Sequence, residues 1–244
     1  MDFSLFIPNI IKILSKYWKV FLFTGLKNTL LLTVISVALG TLLGTLVAMG
    51  KMSKFKPLQW LVSVYVEVLR GTPILLQLYI FYFVLPSVLP FLKLSQFMWV
   101  AIALCVNSSA YVSEVIRSGI QAVDKGQTEA ARSLGLSQGQ TMMKVILPQA
   151  IRNILPALGN EFIMMLKETS LASTFFLGDL MTSYNVVKGA TFLTLEPLTI
   201  VAIIYLCLTF PLSKIVGRFE KKMASPNSYK KHNRKRKLMS GGKI

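Results

Sequence analysis

The sequence has one histidine, His232, and it stands in a polar, lysine-rich stretch near the end of the chain. That scarcity excludes a histidine-ligated metal site in the apolar body. It also leaves nothing from which a Ser-His-Asp or Cys-His nucleophilic centre could be built. The only cysteines, Cys105 and Cys207, lie inside apolar runs and read as small packing residues. They suggest no disulfide framework. Acidic residues are sparse too: 10 Asp and Glu face 27 Lys and Arg in 244 residues, a formal charge of +17. A phosphate-binding loop is missing. "GTLVAMGKM" comes nearest, but it separates its glycines by five residues instead of four and carries Met52 where Ser or Thr is required. No ATP site of that kind is expected in this chain.

What the sequence does have is hydrophobic length. Apolar residues make up 53% of it and charged ones only 15%, against roughly 25% charged in soluble domains. Crossing ~30 Å of hydrocarbon takes about 20 apolar residues, and the pattern predicts five spans. They fall near 28–49, 58–85, 96–114, 147–171 and 195–216. The second is interrupted by "RGTP". The expectation is an all-α membrane protein with about five transmembrane helices.

Charge placement orients them. Lysine and arginine concentrate at 51–56, between Arg117 and Arg152, and after Lys214. Positive segments stay cytoplasmic, which puts the N-terminus outside and the C-terminus inside. The external loops then carry only Lys93 and Lys188. Residues 1–23 form a weakly amphipathic segment with Lys12, Lys16 and Lys19, expected to lie on the membrane surface, and no cleavable signal peptide is expected. Residues 219–244 read as a basic tail beside anionic lipid. No aromatic residues interleave its last lysines and arginines, which disfavours a nucleic-acid partner. Gly40 and Gly44 have the small-xxx-small spacing of close helix contacts, used either within the chain or between two copies.

Ionisable and polar residues inside membranes are costly and mark cavities or partners. In "EVLRGTPILLQ", Glu67 and Arg70 share a helix face ahead of a break at Gly71 and Pro73, with Thr72 and Gln77 beside it. The alternatives there are a polar cavity or a structural kink neutralised by an ion pair. Asn107, Tyr111 and Glu114 follow at i, i+4 and i+7 on one face of the third span. Near the end of the fourth, Glu161 and Glu168 share a face, with Lys167 and Ser170 adjacent. Arg70 suits a carboxylate, because a guanidinium fork matches its oxygens.

Between the third and fourth spans, at about 118–146, lies a polar stretch too regular for a loose connection. It predicts a short helix with Asp124 or Thr128 as N-cap, Glu129 early, Ala130 and Ala131 as a small face, and Gly135 as its stop. Such a helix suits docking into a groove of another protein.

Glu129-Ala130-Ala131, Gly135, Val145 and Leu147-Pro148 fall at the spacing of a known motif, with valine in place of its usual isoleucine. The pattern resembles the EAA loop of bacterial ABC importer permease subunits. "RGTPILLQ" and "KETSLAS" resemble the polar amino-acid branch, the histidine/glutamine/arginine type, and the likeness covers 24–218. This resemblance implies a type I importer permease fold with a cytoplasmic coupling helix. Glu129, Ala130, Ala131, Gly135 and Leu136 would contact a cytoplasmic ATPase dimer, which binds the ATP and Mg. A second permease subunit, identical or paralogous, and an extracytoplasmic solute-binding protein are implied as partners. The implied substrate is an amino acid. Its path would be lined by Glu67, Arg70, Thr72, Gln77, Asn107, Tyr111, Glu114, Lys167, Glu168 and Ser170. A self-contained channel or proton-coupled transporter is the alternative, but it leaves the docking helix without a purpose.

Overall fold

Lipid offers the polar backbone of an apolar segment no hydrogen-bonding partners, and the helix satisfies it locally. The computed structural model describes residues 3–223 and is helical almost throughout, with no strand among the described residues. In chain order the α-helices are α1 (Phe6–Lys19), α2 (Lys27–Lys51), α3 (Lys56–Gly71), α4 (Ile74–Tyr79), α5 (Leu85–Val88) and α6 (Gln96–Gln121). Then come α7 (Lys125–Ser133), α8 (Gln138–Thr141), α9 (Leu147–Glu168), α10 (Leu180–Thr191) and α11 (Leu195–Met223). The five spans expected from sequence correspond to α2, the α3–α5 group, α6, α9 and α11. By length and composition Phe6–Lys51, α6 and α11 suffice to cross a membrane, and Lys56–Gly71 with Ile74–Val88 forms a pair bent by 105°. Helix α9 carries Arg152, Glu161, Lys167 and Glu168; it packs against α2, α6 and α11.

The N-terminal segment does not stand apart from the first span. A π-helical turn, Val20–Leu26, joins α1 to α2 in one helix of 46 residues. At 1.5 Å per residue this is roughly 70 Å, longer than the ~40–45 Å of a whole bilayer. One line of its apolar residues is covered by protein, while Ile7, Ile11, Leu14 and Trp18 stay exposed. Ile13 and Phe21 are buried with Leu180, Tyr184 and Val187 of α10 and Ile200 and Val201 of α11. Asn9 Nδ2 donates to Glu196 Oε1 at 3.2 Å, tying α1 to the start of α11. At the other end, α11 continues past the expected span to Met223. The remainder of the basic tail, with His232, lies outside the described residues.

Helix α6 is the axis of the bundle. Of its apolar window 67% is buried, against 11% for α11, whose Leu206 and Phe210 face outward with Leu42 and Leu46 of α2. The most extensive helix pairing joins α2 to α6, and Gly40 and Gly44 make it possible. A Cβ on Gly40 would stand 2.7 Å from Ser108 Cβ, and one on Gly44 2.8 Å from Val112 Cβ. The small-xxx-small pair is therefore spent on packing within the chain. A main core around Leu32, Leu78, Leu104, Met165 and Phe175 joins α2, α4, α6 and α9 with the 3-10 turn Thr169–Phe175 that follows.

Candidate functional site

The break in the second span follows from its sequence. Pro73 offers no amide hydrogen and forces the preceding residue away from helical geometry; Thr72 is accordingly extended, at φ −113° and ψ 145°. This frees carbonyls at membrane depth, and one side chain collects them. Gln77 Nε2 donates to Leu69 O at 2.8 Å, to Thr72 O at 3.2 Å and to Thr72 Oγ1 at 2.9 Å. Thr72 Oγ1 donates in turn to Val68 O at 2.8 Å. From α6, Asn107 Nδ2 donates to Gln77 Oε1 at 2.9 Å. Both amides are buried. Three residues selected from the sequence thus meet, as a scaffold that holds the bend open and fixes it to α6.

One and two turns further along the same α6 face come Tyr111 and Glu114. Glu114 collects cations from three helices. Lys51 Nζ of α2 lies 2.7 Å from Oε1, and Arg117 Nη2 of α6 lies 2.7 Å from Oε2. Arg70 Nη1 at the end of α3 stands 3.7 Å from Oε2. The Arg70 guanidinium also sits 5.5 Å above the Tyr111 ring, a favourable cation–π placement. The shared face inferred for Asn107, Tyr111 and Glu114 therefore runs along the break. Of the two carboxylates near it in sequence or space, Arg70 pairs with Glu114; Glu67 is exposed and forms no ion pair among the described residues. Lys51 escaped sequence reasoning. It looked like one more cytoplasmic lysine, and helix periodicity carries no signal for a contact between separate helices.

Lys167, Glu168 and Ser170 occupy a different place. With Met164 and Leu171 they line an open cavity of about 330 Å³. An adjoining cavity of about 380 Å³ shares Lys167, Ser170 and Leu171 and adds Ser173, Thr174, Met181 and Tyr205. No hydrogen bond or ion pair among the described residues joins this group to Arg70 or Glu114. Glu161, two turns before Glu168, is buried and accepts from Ser108 Oγ at 3.5 Å.

The polar stretch between α6 and α9 forms the expected helix, α7. Its N-cap is Asp124, whose Oδ1 accepts from Gly126 N at 2.7 Å; Thr128 lies inside the helix. Gly135 ends it at φ +85°, a left-handed geometry that glycine adopts without strain. Arg132 Nη1 donates back to Leu136 O at 2.7 Å, and a capping box of Ser137 and Gln140 starts α8. Helix α7 packs against the π-helical turn Met142–Ile146, which buries Ala131 in its own chain. Glu129, Ala130 and Gly135 stay exposed, Leu136 is half-buried, and Leu134 is 81% exposed. Glu129 has no hydrogen-bond or ion-pair partner among the described residues.

No group of metal-ligating side chains exists among the described residues. Comparison with known proteins supplies the context. Residues 40–225 match the family described as "binding-protein-dependent transport system inner membrane component". The chain is 43% identical to the arginine transport system permease protein ArtQ of Bacillus subtilis over 225 residues, 92% of this chain and 98% of that one. It is also 43% identical to the probable glutamine ABC transporter permease protein GlnM of the same organism, over 82% of this chain and 91% of that one. Among solved structures, an amino acid ABC transporter crystallised with histidines superposes with TM-score 0.81 at 45% identity, covering 86% of this chain and 96% of that one. The inward-facing MetNI methionine ABC transporter gives TM-score 0.67 at 18% identity, covering 84% and 97%, a likeness of fold alone.

Proposed function

This chain belongs to the family of binding-protein-dependent transport system inner membrane components, and from that premise we propose that it moves a polar amino acid inward through the cytoplasmic membrane. It is an inner membrane protein with the type I ABC importer permease fold, a transport subunit and not an enzyme. Membership implies an ATPase and a solute-binding protein as partners. In our reading the ATPase is a cytoplasmic dimer that binds the ATP and Mg. A second permease subunit, a copy or a paralogue, completes the membrane part, and a solute-binding protein docks outside. The N-terminus is external and the C-terminus cytoplasmic in this reading, which the basic segments at 51–56, 117–152 and after Lys214 support.

One observation carries the coupling role: α7 is capped, stopped and braced by its own chain, while the side chains of Glu129, Ala130 and Leu134 stay exposed among the described residues. Glu129, Ala130, Gly135 and Leu136 would meet the ATPase, and Ala131 would set the helix's distance from the membrane body by packing inward. Closure of the ATPases then biases the permease between inward- and outward-facing states. A partner can do this only by binding the two states differently.

The substrate path runs along the break and the α6 face. Arg70 takes the α-carboxylate as a guanidinium fork, and Glu168, in the separate cavity with Lys167 and Ser170, lines another stretch of the path. Tyr111, Thr72, Gln77 and Asn107 hold the route in shape, with Glu67 at its edge. The test is reconstitution with the partner ATPase and binding protein in proteoliposomes, scored by uptake of labelled arginine, glutamine and cystine. Uptake of at least one should require ATP. Glu129→Lys should abolish it by weakening ATPase association, while membrane insertion survives. Normal co-purification and normal uptake by that variant would remove α7 from the coupling role.

A further inference from the structure

Glu114 holds its three cations unequally. Lys51 and Arg117 each approach to 2.7 Å, whereas Arg70 stands at 3.7 Å. Arg70 is also the most exposed, at 44% of its side chain against 17% for Lys51 and 31% for Arg117. Arg117 is further fixed by Gln121 Oε1 at 2.8 Å from its Nη1. Two close cations already exceed the charge of one carboxylate, so Arg70 is the partner Glu114 needs least. It is also the one that sits next to the break, one residue before Gly71.

We propose that Glu114 is a positioning residue that competes with the substrate's α-carboxylate for Arg70. This rests on the reading of Arg70 as the carboxylate ligand. Without substrate, Glu114 and the Tyr111 ring hold the guanidinium in place and neutralise it in part. An arriving α-carboxylate exchanges a contact of 3.7 Å for a two-bonded fork, the stronger arrangement. Glu114 keeps Lys51 and Arg117, so the exchange strands no carboxylate in a low-dielectric place. The contact from the α3 terminus to Glu114 is the bond given up. Occupancy of the site thereby removes one tie between the α3 terminus and α6, the helix that leads into α7, while the Asn107–Gln77 bond stays.

The competition has an unusual sign: removing the Glu114 charge should tighten substrate binding. The experiment uses the complex with its ATPase in lipid nanodiscs and measures equilibrium binding of the twenty L-amino acids and of the α-amides of those that bind. Glu114→Gln should bind the free amino acid roughly two- to fivefold more tightly, the scale of one partly exposed ion pair. The α-amides, lacking the carboxylate, should be unaffected. In the double variant with Arg70→Ala the gain should vanish, which assigns it to Arg70 and not to the cations left beside residue 114. A merely structural Glu114 would weaken binding or leave it unchanged, and that result overturns the proposal, as does a gain that persists in the double variant. Should Glu114→Gln fail to assemble, Glu114→Asp keeps the charge for its near partners, shortens the arm to Arg70 and must shift affinity in the same direction. If Arg70→Ala alone binds like the wild type, or no amino acid binds the wild type, the ligand reading itself falls. If Arg70→Ala loses binding and Glu114→Gln gains none, only the competition falls.

Discussion

The break after α3 and the helix α7 are both polar interruptions in an apolar chain, and the protein treats them in opposite ways. At the break, Gln77, Thr72 and Asn107 are turned inward and satisfy one another and the freed carbonyls. At α7 only Ala131 turns inward, while Glu129 and Leu134 face out, and Glu129 has no hydrogen-bond or ion-pair partner among the described residues. Polarity alone did not separate these cases. What separates them is whether the chain itself closes the hydrogen-bond account: a closed network builds structure, and an open one awaits a partner.

Substitutions at the two regions should therefore fail in different ways. The largest effect is expected from Gln77→Leu. It leaves the Leu69 and Thr72 carbonyls and the Asn107 amide with fewer partners, at about 1–3 kcal/mol for each buried group left unpaired. The melting temperature of the assembled complex should drop markedly, while complexes that survive bind ATPase normally. Gly135→Val comes next. A β-branched residue at φ +85° would carry strain of about 1–3 kcal/mol, and the exposed α7 stop relieves it by losing its geometry locally. Here ATPase co-purification and transport should fall and the melting temperature of the isolated permease should hold. An interchange of these two outcomes would break the comparison. Thr72→Val should be smallest, about 1 kcal/mol for the lost hydroxyl bonds to Val68 O and Gln77. Thermal unfolding should register it, with ATPase affinity unmoved.

Much of this was legible in the sequence because single helices write their rules locally. The five apolar runs, the break at "RGTP", the Gly135 stop and a cap at Asp124 or Thr128 all depend on neighbours a few residues away. Asn107, Tyr111 and Glu114 could be placed on one face by spacing, and the structure lays that face along the break. Contacts between distant helices had no such signature. Lys51 reaching Glu114 spans 63 residues, and its charge was already explained by its cytoplasmic position. Ala131 belonged to the expected docking face; that it packs on the Met142–Ile146 turn depends on how the chain re-enters α9. The continuity of α1 with α2 rests on a π-helical turn that no periodic pattern announces, and its burial depends on α10 and α11.

The central claim is that work done by an ATPase enters this protein through α7 and leaves as inward movement of an amino acid. The most direct measurement is amino-acid accumulation in proteoliposomes that hold the permease, the partner ATPase and the binding protein, with wild type and Glu129→Lys compared at matched insertion. The account predicts ATP-dependent accumulation by the wild type and none by the variant. Accumulation without the ATPase, or equal accumulation by both, would contradict it.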